Sequence, residues 1–262
     1  MNSMDKQINI EELLDWYIFA GVNETCSDSF CLIDNNEPKT FDLSKSATIT
    51  NTPLEKNIQT KRALASKNAR DICAKANSLS ELKEIMLNFE GCNLKNTAAS
   101  TVFGQGLENA QIMFIGEAPG ADEDRLGAPF VGRCGKLLDK MLSAIEVKRE
   151  DCFITNVLPW RPPGNRAPTD EEIAICLPFL ARQIELIKPK YIVLLGGIAL
   201  KSVMETEDTI SRSRGKWMEY TVSDDYKVNV IATYHPSYLL RSTAQKSKVW
   251  IDLLRLKKKF KE

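Results

Sequence analysis

From about residue 111 onward, short apolar runs alternate with helical patterns, and that alternation limits the possible folds more than any other feature of the chain. Runs rich in β-formers occur at 111–115 (QIMFI), 152–157 (CFITNV), 191–195 (YIVLL) and 228–234 (VNVIATY). Helical periodicity fills 134–146, 170–187 and 197–205 between them, and 244–261 reads as one more helix. Strands joined by crossover helices lie parallel, with helices on both faces of the sheet. The expected class is therefore α/β: a three-layer α/β/α sandwich around a central four-stranded parallel sheet, preceded by a helical N-terminal region.

That N-terminal region has a different texture. Residues 10–21 place Ile10, Leu13, Leu14, Tyr17 and Ile18 at helical spacing, and the polar stretch 27–58 reads as a linker or mobile loop. Helical segments are expected over 59–76 and over 79–89, the latter with Ser80 as N-cap. The division expected is an accessory region over 1–90, helical and partly flexible, followed by the working domain over 91–262.

Composition narrows the setting. No run of eighteen apolar residues and no basic-then-apolar leader is present, so neither a membrane span nor a secretory signal is supported, and the cytoplasm is the expected compartment. Seven irregularly spaced cysteines fit reduced thiols better than a disulfide framework. A formal net charge of zero does not advertise nucleic-acid binding. The basic tail, from Arg241 through Lys246, Lys248 and Arg255 to Lys261, is either a phosphate contact or a solvated helix face.

In a parallel sheet the working residues lie beyond the carboxyl ends of the strands. Here those ends read "GEAPG", "NVLPWRPPGNR", "GG" and "HPSYLLRS". The chain's single histidine, His235, stands at the fourth, where a catalytic role outweighs a structural one. Several neighbours have plainer readings. Asn156 is a turn cap or a functional amide, and Phe130, taken on its own, is plain core. Glu117, Asp122, Glu123 and Asp124 are solvated acids or a divalent-metal set, with Arg125 arguing against the metal.

Taken together, "GEAPGADEDRLGAPFVGRCGKLLDKML", "ITNVLPWRPPGNRAPT" and "HPSYLLR" resemble the family 4 branch of the uracil-DNA glycosylase superfamily, over about residues 90–256. The resemblance implies a monofunctional DNA repair hydrolase that flips uracil out of DNA and cuts its N-glycosidic bond, leaving an abasic site. It makes 91–262 the catalytic domain. Phe130 would stack on the uracil, Asn156 would address O4 and N3–H, and the backbone around Glu117 and Ala118 would line the pocket. His235 would face O2, and Glu117 or Glu123 would stabilise the sugar cation or hold the attacking water, with Asp122 and Asp124 solvated. DNA would be gripped by Gly132, Arg133, Gly135, Arg161, Arg166, Ser237 and Arg241, with Leu239 or Leu240 as the wedge that replaces the flipped base. The implied partner is uracil-containing DNA, with no membrane contact and the protein acting as a monomer. The alternatives are a DNA-binding module without chemistry, and a related branch that crosslinks to the abasic sugar through a histidine absent here.

The family's typical four-cysteine iron–sulfur site is incomplete in this chain. Cys92 is followed by Lys95 where a second cysteine is expected, and Trp160 stands in the loop that ends at Cys176. Two thiolates of four are missing, so no cofactor is expected: Cys92 and Cys176 are read as buried relics, with Trp160 filling the volume and the Lys95 stem packing over it. Cys26, Cys31 and Cys73 lie in the accessory region, and Cys134 and Cys152 are expected in the core.

Overall fold

The computed structural model of the chain describes residues 66–261. The expectations for 10–21 and 27–58, and the thiols of Cys26 and Cys31, lie outside the described residues. A helical stretch over 66–73 is followed by α1 (Leu79–Asn88), whose N-cap is Ser78 and not Ser80, since the Ser78 hydroxyl accepts from the Glu81 amide at 3.1 Å.

The sheet has six strands: β1 (Gln105–Gly106), β2 (Ile112–Gly116), β3 (Phe153–Asn156), β4 (Tyr191–Leu195), β5 (Trp217–Ser223) and β6 (Tyr226–Thr233). Their spatial order is β1-β3-β2-β4-β6-β5. The four runs read from the sequence form the parallel centre, and antiparallel β1 and β5 extend it at the two edges. The sheet is therefore mixed, wider than the four strands expected.

Both faces of β2 are buried, as its unbroken apolar run requires. Met113 and Ile115 face one core with α1, α4 (Asp170–Ile187) and α5 (Gly197–Met204). Ile112 and Phe114 face the other with α3 (Arg133–Ala144), α7 (Pro236–Arg241) and α8 (Lys246–Lys261). Two short helices, α2 (Ala121–Leu126) and α6 (Ile210–Ser213), sit in the connections after β2 and before β5. α4 begins with a reciprocal cap in which Thr169 Oγ1 accepts from the Glu172 amide and the Glu172 carboxylate accepts from the Thr169 amide. Residues ahead of position 90 share the first core: Ala69, Cys73, Leu82, Met86 and Phe89 are buried with Phe179 and Trp160.

Register brings the working ends together. Gly116 at the end of β2 is level with Asn156 at the end of β3, and Leu195 at the end of β4 is level with Thr233 at the end of β6. The β3 end is fixed from behind by a buried polar cluster. Gln183 donates to the Phe103 carbonyl at 2.6 Å, and the Thr155 hydroxyl lies 3.0 Å from that carbonyl and 3.2 Å from Gln183 Oε1. Replacing Gln183 by leucine strands buried polar atoms and should lower unfolding free energy by about 1–3 kcal/mol. The check is a lower urea midpoint at unchanged slope.

Candidate active site

A cleft of about 360 Å³ opens where β2, β3 and β6 end. Glu117, Ala118, Glu123, Phe130, Asn156, His235, Arg166, Ser237 and Arg241 all line it, together with Cys134. Cys134 is thus half-buried, packed against the second core with one side on the cleft, because the first turn of α3 lies at the opening; Cys152 is wholly in the core as expected.

Glu123 organises the loop beneath the cleft. Its carboxylate is buried and accepts three backbone N–H groups: Gly120 at 3.1 Å, Val131 at 3.0 Å and Gly132 at 2.9 Å. It ties the start of α2 to the start of α3. Between those points Phe130 adopts φ 51°, a left-handed conformation that costs about 1–3 kcal/mol in a non-glycine residue and persists only when neighbours over-determine it. Two glycines make room for the result. A Cβ on Gly135 would lie 1.7 Å from the Phe130 carbonyl oxygen, and one on Gly116 would lie 2.6 Å from the Phe130 ring. The amide of Gly132 is consumed by Glu123, so it is not free to meet a phosphate, whereas Arg133 is exposed at the first position of α3.

Asp124 is not solvated. It is 6% exposed and accepts from the amides of Ala99 and Ser100 at 2.8 and 3.1 Å, with the Arg161 guanidinium 3.9 Å away. Asp122 is exposed and pairs with Arg125. The acids of this loop are therefore dispersed, and among the described residues no group of three or more His, Cys, Asp or Glu is placed to hold a metal ion.

Asn156 is 5% exposed and its Oδ1 has no hydrogen-bond partner within the protein. An unsatisfied buried acceptor costs about 1–3 kcal/mol. A ligand N–H would relieve it. Glu117 is half-buried with burial holding its carboxyl above the usual carboxylate range, and the protein donates no hydrogen bond to that carboxylate among the described residues.

His235 caps α7. Its Nδ1 accepts from the Ser237 amide at 3.1 Å and lies 2.8 Å from the Ser237 hydroxyl, while its ring packs 5.7 Å from that of Phe130. Since Nδ1 is the acceptor, the neutral ring carries its hydrogen on Nε2. Burial, assisted by Arg241, pushes its pKa down to about 4. The imidazole is consequently neutral at pH 7, with one N–H to donate.

The basic residues divide. Arg166 is held by Glu172 in a paired geometry at 2.5 and 2.8 Å, and Arg161 donates to Asn165 at 2.8 Å. Arg241 and Arg133 are exposed, and among the described residues neither is in an ion pair. Leu239 is fully buried in the second core, which removes it as a wedge; Leu240, next to it, remains partly accessible. The tail helix buries Val249, Trp250, Leu253 and Leu256 in the second core, and its C-terminal basic end is paired, with Lys257 and Lys261 both bonded to Glu146.

Around Trp160 the donor set does not fit an iron–sulfur cluster. Cys92 and Cys176 are both buried in the first core. The Trp160 indole is wholly buried, donates to the Thr101 hydroxyl at 2.9 Å and stacks on Phe89 at 6.4 Å. Lys95 is half-exposed. An indole N–H and an ammonium are donors, and neither replaces a thiolate.

The titration of the cleft follows from these surroundings. A group with pKa near 4 stays unprotonated through the usual histidine range, so activity should show no inflection near pH 6.5. The acid limb should instead follow Glu117, whose ionised form is lost as pH falls through its raised pKa. Single-turnover rates measured from pH 4 to 9 check this, and Glu117→Gln should abolish the limb.

Comparison with known proteins places the chain in a family. Residues 103–254 match the model of the uracil DNA glycosylase superfamily. The chain is similar to a type-4 uracil-DNA glycosylase of Archaeoglobus fulgidus, 47% identical over 167 residues covering 62% of this chain and 83% of that one. A type-4 uracil-DNA glycosylase of Pyrobaculum aerophilum is 40% identical over 179 residues, 67% of this chain and 91% of its own. A type-5 uracil-DNA glycosylase of the same organism is 30% identical over 152 residues, 52% and 66% of the two chains.

Proposed function

The chain belongs to the uracil DNA glycosylase superfamily, and from that premise we propose that it removes uracil from DNA by hydrolysing the N-glycosidic bond, leaving an abasic site for repair. The observation that carries the reading is the unpaired, buried Asn156 Oδ1 beside Phe130 in a cleft that also holds His235. Uracil carries a hydrogen on N3 that this oxygen can accept, while cytosine presents a bare acceptor there. A site built around a polar partner rejects an analogue that leaves it unpaired.

The reaction then uses the groups in turn. A base extruded from the stack enters the cleft against the Phe130 ring, with backbone around Ala118 lining its edge. As the glycosidic bond breaks, negative charge develops on the base, and the Nε2–H of neutral His235 is the donor suited to its O2. A preorganised donor of this kind contributes roughly 3–4 kcal/mol. The sugar gains positive charge, and Glu117 is the carboxylate left to stabilise it or orient water, since Glu123 is saturated by three amides. Glu123 acts on the reaction through Phe130 and not by proton transfer. Arg133, Arg241 and Ser237 are suited to phosphates, and Leu240 to the gap in the stack.

We propose that residues 91–262 form the catalytic part, with the described residues ahead of it sharing its first core, and that it acts as a monomer on DNA in the cytoplasm; no helix among the described residues is long and apolar enough to cross a membrane. Without a full donor set, no step is routed through a cluster, and the protein is proposed to work without cofactor. It should purify colourless and iron-free, and Cys92→Ala should cleave at the wild-type rate. Stoichiometric iron and sulfide after anaerobic purification would contradict this.

Cleavage of a uracil-containing oligonucleotide, resolved on denaturing gels before and after alkali, tests the activity. Strand scission only after alkali is expected. His235→Ala should slow the single-turnover step by about 10²–10³-fold with DNA affinity little changed, because its donor strengthens only as charge develops. Asn156→Asp should instead degrade selection against cytosine.

A further inference from the structure

Behind the cleft lies a buried charged group that none of the steps above uses. Asp252 of α8 is 2% exposed, and its two oxygens serve different elements. Oδ1 accepts from Arg214 Nη2 at 2.7 Å, and Oδ2 accepts from the Thr233 hydroxyl at 2.7 Å. Thr233 is the last residue of β6, two positions before His235. Its backbone carbonyl is also engaged, accepting from the Gly196 amide at 2.9 Å.

The same cation reaches the segment a second time. The Arg214 guanidinium lies over the Tyr234 ring, 5.5 Å from its centre, and Arg214 also donates to the Lys248 carbonyl. Tyr234 in turn packs on Tyr238 of α7, 5.0 Å between ring centres, in the helix whose first turn holds Ser237. The backbone makes room for this arrangement. Gly215 has φ 69°, and a Cβ there would stand 2.1 Å from Asp252 Oδ1. Its amide bonds to the Ala232 carbonyl at 2.8 Å, and its own carbonyl accepts from Arg255 at 2.6 Å.

A buried ion pair is a poor choice if stability were the only demand, since desolvation offsets most of the attraction and apolar packing serves as well. What a carboxylate adds is direction. Its two oxygens lock a strand end and a cation at fixed angles, where apolar side chains would tolerate sliding. Resting on the glycosylase reading, we propose that Asp252, held by Arg214, is a positioning residue that fixes the end of β6 through Thr233 and so holds the His235 imidazole at the leaving base. Misplacement by about 1 Å from a change remote from the chemistry can cost 10²-fold in rate.

The test compares Asp252→Asn, Thr233→Val and the double variant with the wild type, on two DNAs. Single-turnover cleavage uses a uracil-containing duplex, and affinity uses the same duplex with a 2′-fluoro sugar that resists cleavage. Thr233→Val keeps the shape of the side chain, so it carries the test if Asp252→Asn does not fold. The expected result is cleavage slowed by about tenfold or more in each single variant, affinity within about threefold, and a double variant no slower than the worse single one. Wild-type rates in folded Thr233→Val would overturn the positioning role, as would rate and affinity falling in parallel, or two independent additive losses. An inactive wild type would defeat the glycosylase reading itself, and this proposal with it.

Discussion

The Glu123 carboxylate, buried under the amides of Gly120, Val131 and Gly132, is the interaction on which the site depends. Three donors to one ionised group are stronger than neutral hydrogen bonds, and here they span the whole loop between β2 and α3. They hold Phe130 in a left-handed conformation that its own preferences oppose. The ring so placed forms one wall of the cleft and meets His235, which sits on the far side of the sheet's centre. A carboxylate in this role is a scaffold, whereas the neighbouring Glu117 carboxylate accepts no hydrogen bond among the described residues and burial raises its pKa. Two glutamates six residues apart thus have opposite fates, set by how many N–H groups face each.

Parallel register does the rest of the assembly. Because β2, β3, β4 and β6 run in one direction, residues far apart in sequence finish at one edge: Glu117, Asn156, Gly196 and His235 follow the four strand ends. Two of these ends, those of β3 and β6, are then secured by polar groups from behind the sheet. Gln183 and Thr155 hold the Phe103 segment against β3, and Asp252 holds Thr233 of β6. Both arrangements are fully buried, where a hydrogen bond is costly to leave unmade and correspondingly directional.

Around Cys92 and Cys176 the first core is filled by aromatic side chains. The segment before β1 must be joined to the loop after β3, and here the joint is the Trp160 indole, stacked on Phe89 and anchored to Thr101. Phe89 also meets Phe179 of α4 edge-on at 5.1 Å, so one aromatic cluster ties three parts of the fold together. Such packing contributes through buried area and ring geometry. It also anchors the segment that begins at Arg161, the next residue, whose Pro162, Asn165 and Arg166 line the cleft.

The sequence by itself determined the parallel centre of the sheet, its crossover helices and the four decorated strand ends, because apolar periodicity and Gly/Pro punctuation are local signals. It also marked His235, Asn156 and Phe130 as candidates. The edge strand β5 was missed: its alternation of half-buried and exposed residues from Met218 to Ser223 contains no fully buried position, and its pairing with β6 is formed across a tight turn at Asp224 and Asp225 that carries no glycine. Only the tertiary structure separated Glu117 from Glu123, buried Asp124 and Leu239, and turned Cys134 to the cleft. Those outcomes depend on which backbone amides and side chains arrive from elsewhere in the chain. A carboxylate's role follows from the donors around it, and the order of residues does not record where those donors will be.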